Sequence, residues 1–137
     1  MYNFNYHCPS SLQEAESLYA KSEDPMFLAG GHTLLPTMKQ RLNAPTDLID
    51  LAGLTELAGI SREGDVLQIG AYTRHADVAA SELVQTAIPA LAKLARGIGD
   101  TQVRNRGTIG GSVANNDPAA DYPAALLGLG ATVVTTK

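Results

Sequence analysis

Two glycine pairs carry the residue types that hold an anionic ligand. In Ala29-Gly30-Gly31-His32-Thr33-Leu34 the pair sits between a short apolar run, residues 26–29, and a stretch with helical spacing, residues 33–42. Glycine reaches positive φ and exposes successive backbone N–H groups, and a helix start adds positive partial charge, so such a turn can cradle a phosphate or pyrophosphate. A second pair, Gly110-Gly111, is flanked by the hydroxyls of Thr108 and Ser112 and by the amides of Asn115 and Asn116. A polar ligand would satisfy many of these donors. Each segment by itself reads equally as an ordinary turn or a solvated loop, and both readings stay open for the pair.

Other chemistries find little support. No Gly-Lys pair exists for a P-loop, and Gly97-x-Gly99 is followed by Gln102 where a dinucleotide fingerprint needs its third glycine. His7 and His75 belong to no metal-ligand or catalytic pattern and read as surface residues; His32 differs in lying inside the glycine turn, where it could donate to a ligand oxygen or stack on a ring. The single cysteine, Cys8, can form no internal disulfide or cysteine-rich zinc site. No serine sits in a Gly-x-Ser-x-Gly elbow. Asp117 reads as a helix cap and Asp121 as an exposed carboxylate.

Residues 10–22 place Leu12, Ala15, Leu18 and Tyr19 at helical spacing, with Ser10 and Gln13 as a capping box. Residues 26–29 read as a buried strand, Gly30-Gly31 as its turn, residues 33–42 as a helix ended by Pro45, and residues 47–51 as a second strand. Helix and strand thus alternate as in a small α/β layer. A hairpin follows over residues 57–70 with its turn at Glu63-Gly64-Asp65. Thr73 is placed to cap a helix over residues 74–80, residues 82–87 form another turn or two, and Pro89 opens a helix to Arg96. Residues 97–120 read as loop. Asp117-Pro118 introduces an apolar helix to Leu129, and residues 131–137 read as a β-branched strand.

With 137 residues, 45% of them hydrophobic and 18% charged, the chain has the apolar content of a folded domain rather than a disordered one. A net charge of −4 without a basic stripe speaks against nucleic-acid binding. Neither a membrane span nor a signal peptide is legible, and a cytoplasmic, reducing location is expected.

Taken together and in order, Ala29-Gly30-Gly31-His32-Thr33 and Thr108-Ile109-Gly110-Gly111-Ser112 resemble the two flavin-binding signatures of the medium, FAD-binding subunit of molybdenum hydroxylases. This is the family of the carbon monoxide dehydrogenase medium chain and the xanthine dehydrogenase FAD domain. Asp47-Leu48-Ile49-Asp50-Leu51, Ile69-Gly70-Ala71-Tyr72-Thr73 and Asn116-Asp117-Pro118-Ala119-Ala120-Asp121 extend the resemblance over essentially the whole chain. Thr33 stands where the family often has Ser, and Ser112 where carbon monoxide dehydrogenases often have Asp; both keep a polar group.

The resemblance implies an α+β fold, the FAD-binding fold of the p-cresol methylhydroxylase type, with an α/β N-terminal lobe over residues 1–55 and the first part of an α+β second lobe over residues 56–137. Family medium subunits are longer, so the chain reads as C-terminally incomplete, with the remainder finishing the second lobe and contacting the flavin ring. By position, Ala29, Gly30, Gly31, His32 and Thr33 would contact the FAD pyrophosphate mainly through backbone N–H groups, with Leu34 nearby. Thr108, Gly110, Gly111 and Ser112 would approach the diphosphate and ribityl chain, Asn115 would lie close to them, and Asp121 would reach the adenosine end. FAD would then do the redox chemistry, with no catalytic acid or base and no metal ligand on this chain. Implied partners are a molybdopterin-binding large subunit and a 2Fe-2S small subunit, with electrons leaving to an external acceptor. The alternative is an assembly or binding module of the same fold without a functional flavin site.

Overall fold

The computed structural model describes residues 1–136. Its N-terminal part is a three-stranded parallel sheet in the order β1-β3-β2, formed by β1 (Asn5–His7), β2 (Pro25–Leu28) and β3 (Asp47–Asp50). Helices α1 (Leu12–Lys21) and α2 (Leu34–Lys39) make the crossovers that parallel strands require. The central strand β3 is the most buried, with Leu48 and Ile49 at 2% and 0% exposure. Ile49 packs with Ala15 and Leu54 in one apolar cluster, bordered by Leu12, Leu18, Leu51 and Leu57.

The two helices and two strands expected within residues 10–51 are present, with shifts that have local causes. The capping box is one residue later than expected. Ser11 is the N-cap, accepting from the Glu14 amide at 3.2 Å, and the Glu14 carboxylate accepts in return from the Ser10 amide and hydroxyl. A carboxylate at that position satisfies the flanking donors better than Gln13. Strand β1 escaped the sequence reading because Asn5, Tyr6 and His7 carry no apolar alternation. It is held instead by polar contacts to β3, in which Asn5 Nδ2 and His7 Nε2 donate to Asp47 Oδ1 at 3.2 and 2.7 Å. His7 is therefore part of the sheet edge rather than an idle surface residue.

The second part opens with the antiparallel hairpin of β4 (Ile60–Glu63) and β5 (Val66–Ile69), paired from Ile60 with Ile69 to Glu63 with Val66. Among the described residues six helices complete this part: α3 (His75–Ala80), α4 (Glu82–Ala87), α5 (Pro89–Gly97), α6 (Thr101–Arg106), α7 (Ile109–Asn115) and α8 (Asp121–Gly128). Val78, Val84, Leu91, Ala92, Ala95, Ile109 and Tyr122 form their common core, each 6% exposed or less. Burial of each larger apolar side chain contributes roughly 1.5–3 kcal/mol.

Residues 97–120, expected as loop, hold two helices. Asp100 caps α6, accepting from the Val103 amide at 2.8 Å, and Thr108 caps α7, accepting from the Gly111 amide at 3.1 Å. Glycines at 110 and 111 lower helix propensity by about 1 kcal/mol each. Burial of Ile109 and tertiary bonds at its start override that cost: Ile109 N donates to Thr73 O and Gly110 N to Ala71 O.

Three smaller expectations also change. Thr73 does not cap α3; its hydroxyl is buried and bridges both the amide and the carbonyl of Gly59. Asp117 closes a local turn by accepting from Ala119 N, and α8 starts four residues later, after Ala120. Residues 131–136 form no strand, and Lys137 lies outside the described residues. Among the described residues no helix is long and apolar enough to cross a membrane.

Candidate functional site

The end of β2 and the start of α7 face one another across a cleft of about 800 Å³, within the range of roughly 300–1,000 Å³ typical of small-molecule sites. Its walls include Ala29, Gly30, Gly31, His32, Thr33 and Leu34 from the first glycine segment. The second segment contributes Thr108, Gly110, Gly111, Ser112 and Asn115. Every candidate residue but one is thus brought to a single cavity. Asp121 is exposed at the first turn of α8 and is not part of the lining, although its neighbour Ala120 is.

Direct backbone packing holds the segments together. A Cβ on Gly30 would collide with the carbonyl of Arg106 and come within 2.7 Å of Gly107 Cα, so only glycine lets this turn lie against the chain entering α7. Gly31 then takes φ +75°, a left-handed conformation that turns the chain from β2 toward α2. On the facing side, a Cβ on Gly110 would sit 2.6 Å from the Ala71 carbonyl oxygen.

The two segments differ in the donors they leave free. The amides of Ile109, Gly110, Gly111 and Ser112 are all used inside the protein, by Thr73 O, Ala71 O, Thr108 Oγ1 and Thr108 O. The amides of Gly30, Gly31, His32, Thr33 and Leu34 donate to no described protein group, and the N-cap Thr33 makes no side-chain cap bond. A run of five consecutive free N–H groups in residues that line a cavity is the kind of backbone cradle that can receive anionic oxygens. What the second segment offers to the cleft is therefore small size and the side chains of Ser112 and Asn115 rather than its amides. Free backbone donors thus lie on the first segment only.

Sequence reading missed several lining residues, among them Tyr72, Phe27, Tyr19 and His75. Tyr19 and Phe27 stack at 4.8 Å between ring centroids, both partly exposed. His75 is not a surface residue: it is 5% exposed, at the start of α3, with its ring 5.2 Å from that of the fully buried Tyr122. Burial, then the charge of His32, lowers its pKa, and burial raises that of Tyr122, so the imidazole and the phenol are both neutral near pH 7. The signal available in the sequence was Gly107, whose lack of a side chain makes room for that imidazole.

A deep cleft between a small parallel-sheet layer and a helical layer, with a glycine-built amide cradle on one wall, defines a nucleotide-cofactor-binding domain. Residues 2–137 match the family described as the FAD binding domain in molybdopterin dehydrogenase, and the chain belongs to that family. It is 48% identical over 122 residues to the carbon monoxide dehydrogenase medium chain of Hydrogenophaga pseudoflava, covering 88% of this chain and 42% of that protein. It is 39% identical to the glyceraldehyde dehydrogenase medium chain of Sulfolobus acidocaldarius, covering 98% of this chain and 48% of the relative. The solved carbon monoxide dehydrogenase from Hydrogenophaga pseudoflava lacking the Mo-pyranopterin moiety superposes with a TM-score of 0.88 at 48% identity, over 90% of this chain and 43% of the other. The chain thus spans less than half the length of these relatives. The cofactor of the family is FAD, and the free amides, the glycine contacts and the cleft volume all suit its diphosphate.

Proposed function

We propose that this chain holds the diphosphate of FAD on the Gly30–Leu34 amides and serves as the FAD-binding, electron-transfer part of a molybdenum hydroxylase. The observation that carries the reading is the run of five free amides opposite Thr108, Gly111 and Ser112 across one cleft. Bound FAD supplies the redox chemistry. The protein's own residues supply placement: the amides neutralise phosphate charge, Gly30 and Gly110 bring the walls together, and Ser112 and Asn115 offer side-chain hydrogen bonds.

In this reading electrons reach the flavin from the iron–sulfur clusters of a 2Fe-2S small subunit, which a molybdopterin-binding large subunit has reduced, and leave to an external acceptor. Substrate oxidation belongs to the large subunit. The lobes divide near residues 55 and 56, a boundary supported by the separate apolar clusters around Ile49 and around Val78. Asp121, exposed beside the lining residue Ala120, is assigned to the adenosine end, and the complex is assigned to the cytoplasm. The cofactor-free assembly module gains no support from the site, whose cradle is intact.

Co-expression with candidate large and small subunits tests the proposal. Co-purification as a complex carrying stoichiometric flavin is expected. A stable complex with no flavin would overturn the reading in favour of the assembly module.

A further inference from the structure

His75 and Tyr122 pose a problem that the amide cradle does not solve. Among the described residues, His75 Nδ1 and the Tyr122 hydroxyl are the buried side-chain polar atoms without a hydrogen-bond partner. Leaving such a group unpaired costs about 1–3 kcal/mol, and native proteins rarely leave two side by side. The other ring nitrogen of His75, Nε2, also donates to no described protein group, and the residue lines the cleft. A Cβ on Gly107 would lie 2.6 Å from that Nε2, and Gly107 Cα itself abuts Gly30 in the cradle. The α3 start is fixed there by the bond from His75 N to Gly107 O at 3.0 Å.

Resting on the reading of this cleft as an FAD site, we infer that His75 is a further ligand-binding residue, donating from Nε2 to an oxygen of the bound diphosphate or ribityl chain, and that Tyr122 is its positioning residue. A neutral imidazole that donates through Nε2 has a lone pair on Nδ1 and needs a donor there. The phenol of Tyr122, its ring tilted 41° to the imidazole, is the neighbouring buried donor in want of an acceptor. A bond between the two, direct or through one water, would satisfy both orphaned atoms, and the ligand would satisfy the third. Sequence reasoning could not find this pair, because residues 75 and 122 meet only when α3 packs beside the start of α8.

The test uses the purified protein freed of flavin and titrated with FAD by flavin fluorescence. His75→Gln places an amide nitrogen where Nε2 stands, and His75→Asn places one where Nδ1 stands. The Gln variant is expected to bind FAD within about threefold of the unaltered protein and the Asn variant about tenfold or more weakly, the loss of one hydrogen bond to a charged group. Tyr122→Phe is expected to weaken FAD several-fold in the unaltered background and not at all in the Asn background, the coupling a shared path requires. Melting curves of the flavin-free variants separate loss of fold from loss of ligand. Equal affinity of the Gln and Asn variants, tighter binding by Asn, or a Tyr122→Phe effect that persists in the Asn background would overturn the inference. If the unaltered protein binds no FAD, the reading of the cleft fails instead.

Discussion

The Cα of Gly107 lies 2.7 Å from the point where a side chain on Gly30 would begin, and the carbonyl of Arg106 lies nearer still. This contact joins the cradle to the chain that leads into α7, so the two walls of the cleft are set by one backbone approach. Gly30→Ala is expected to force them apart, lowering stability by about 1–3 kcal/mol and removing flavin. Melting temperature and flavin content check it. Gly128→Ala on α8, where nothing lies within 4 Å, is the matched control, expected to be neutral or stabilising by about 0.5–1 kcal/mol with flavin content unchanged.

Gly111 stands differently. Its missing side chain would meet the Thr108 hydroxyl at 2.8 Å and Ala29 Cβ at 3.8 Å, on the cleft itself. Gly111→Asp is expected to abolish FAD binding by placing a carboxylate beside the diphosphate, and equilibrium titration reads the effect. Cys8→Ser, at an exposed position, should leave flavin content unaltered.

Thr108 is 2% exposed and caps α7. Thr108→Ala is expected to cost about 1 kcal/mol and to weaken FAD through disorder of the α7 start, whereas Thr108→Ser should retain both. Denaturant melts and FAD titration of the two variants separate the hydroxyl from the methyl.

Asp47 links β1 to β3 and is held below the usual carboxylate range, first by its hydrogen bond with His7 and then by that with Thr46. A carboxyl group depressed on folding stabilises the native state above its unfolded value and ceases to do so as pH falls through the folded one. The stability difference between the unaltered protein and Asp47→Asn should therefore be constant near neutral pH and shrink below about pH 4. Melting temperatures across that window check the sign.

Much of this architecture was legible in the residues. The strand, turn and helix around Gly30-Gly31 follow from apolar runs and glycine, and the pairing of two glycine segments marked both cleft walls. What was hidden depended on tertiary contact. Strand β1 is polar and exists because Asp47 collects its donors; α7 contains two glycines and exists because Ile109 is buried and Ala71 accepts from Gly110. His75 looked like a surface residue because Tyr122, its neighbour in the core, is 47 positions away in the chain.

The central claim is that the amides of Gly30–Leu34 hold the diphosphate of FAD. The most direct measurement is a side-by-side titration of the flavin-free protein with FAD and with riboflavin, which carries the same ring system and no phosphate, followed by flavin fluorescence. Saturable binding of FAD, competed by ADP, with riboflavin at least about a hundredfold weaker, is expected for a site whose energy comes from charge-assisted hydrogen bonds to phosphate. Riboflavin binding as tightly as FAD, or failure of ADP to compete, would contradict it.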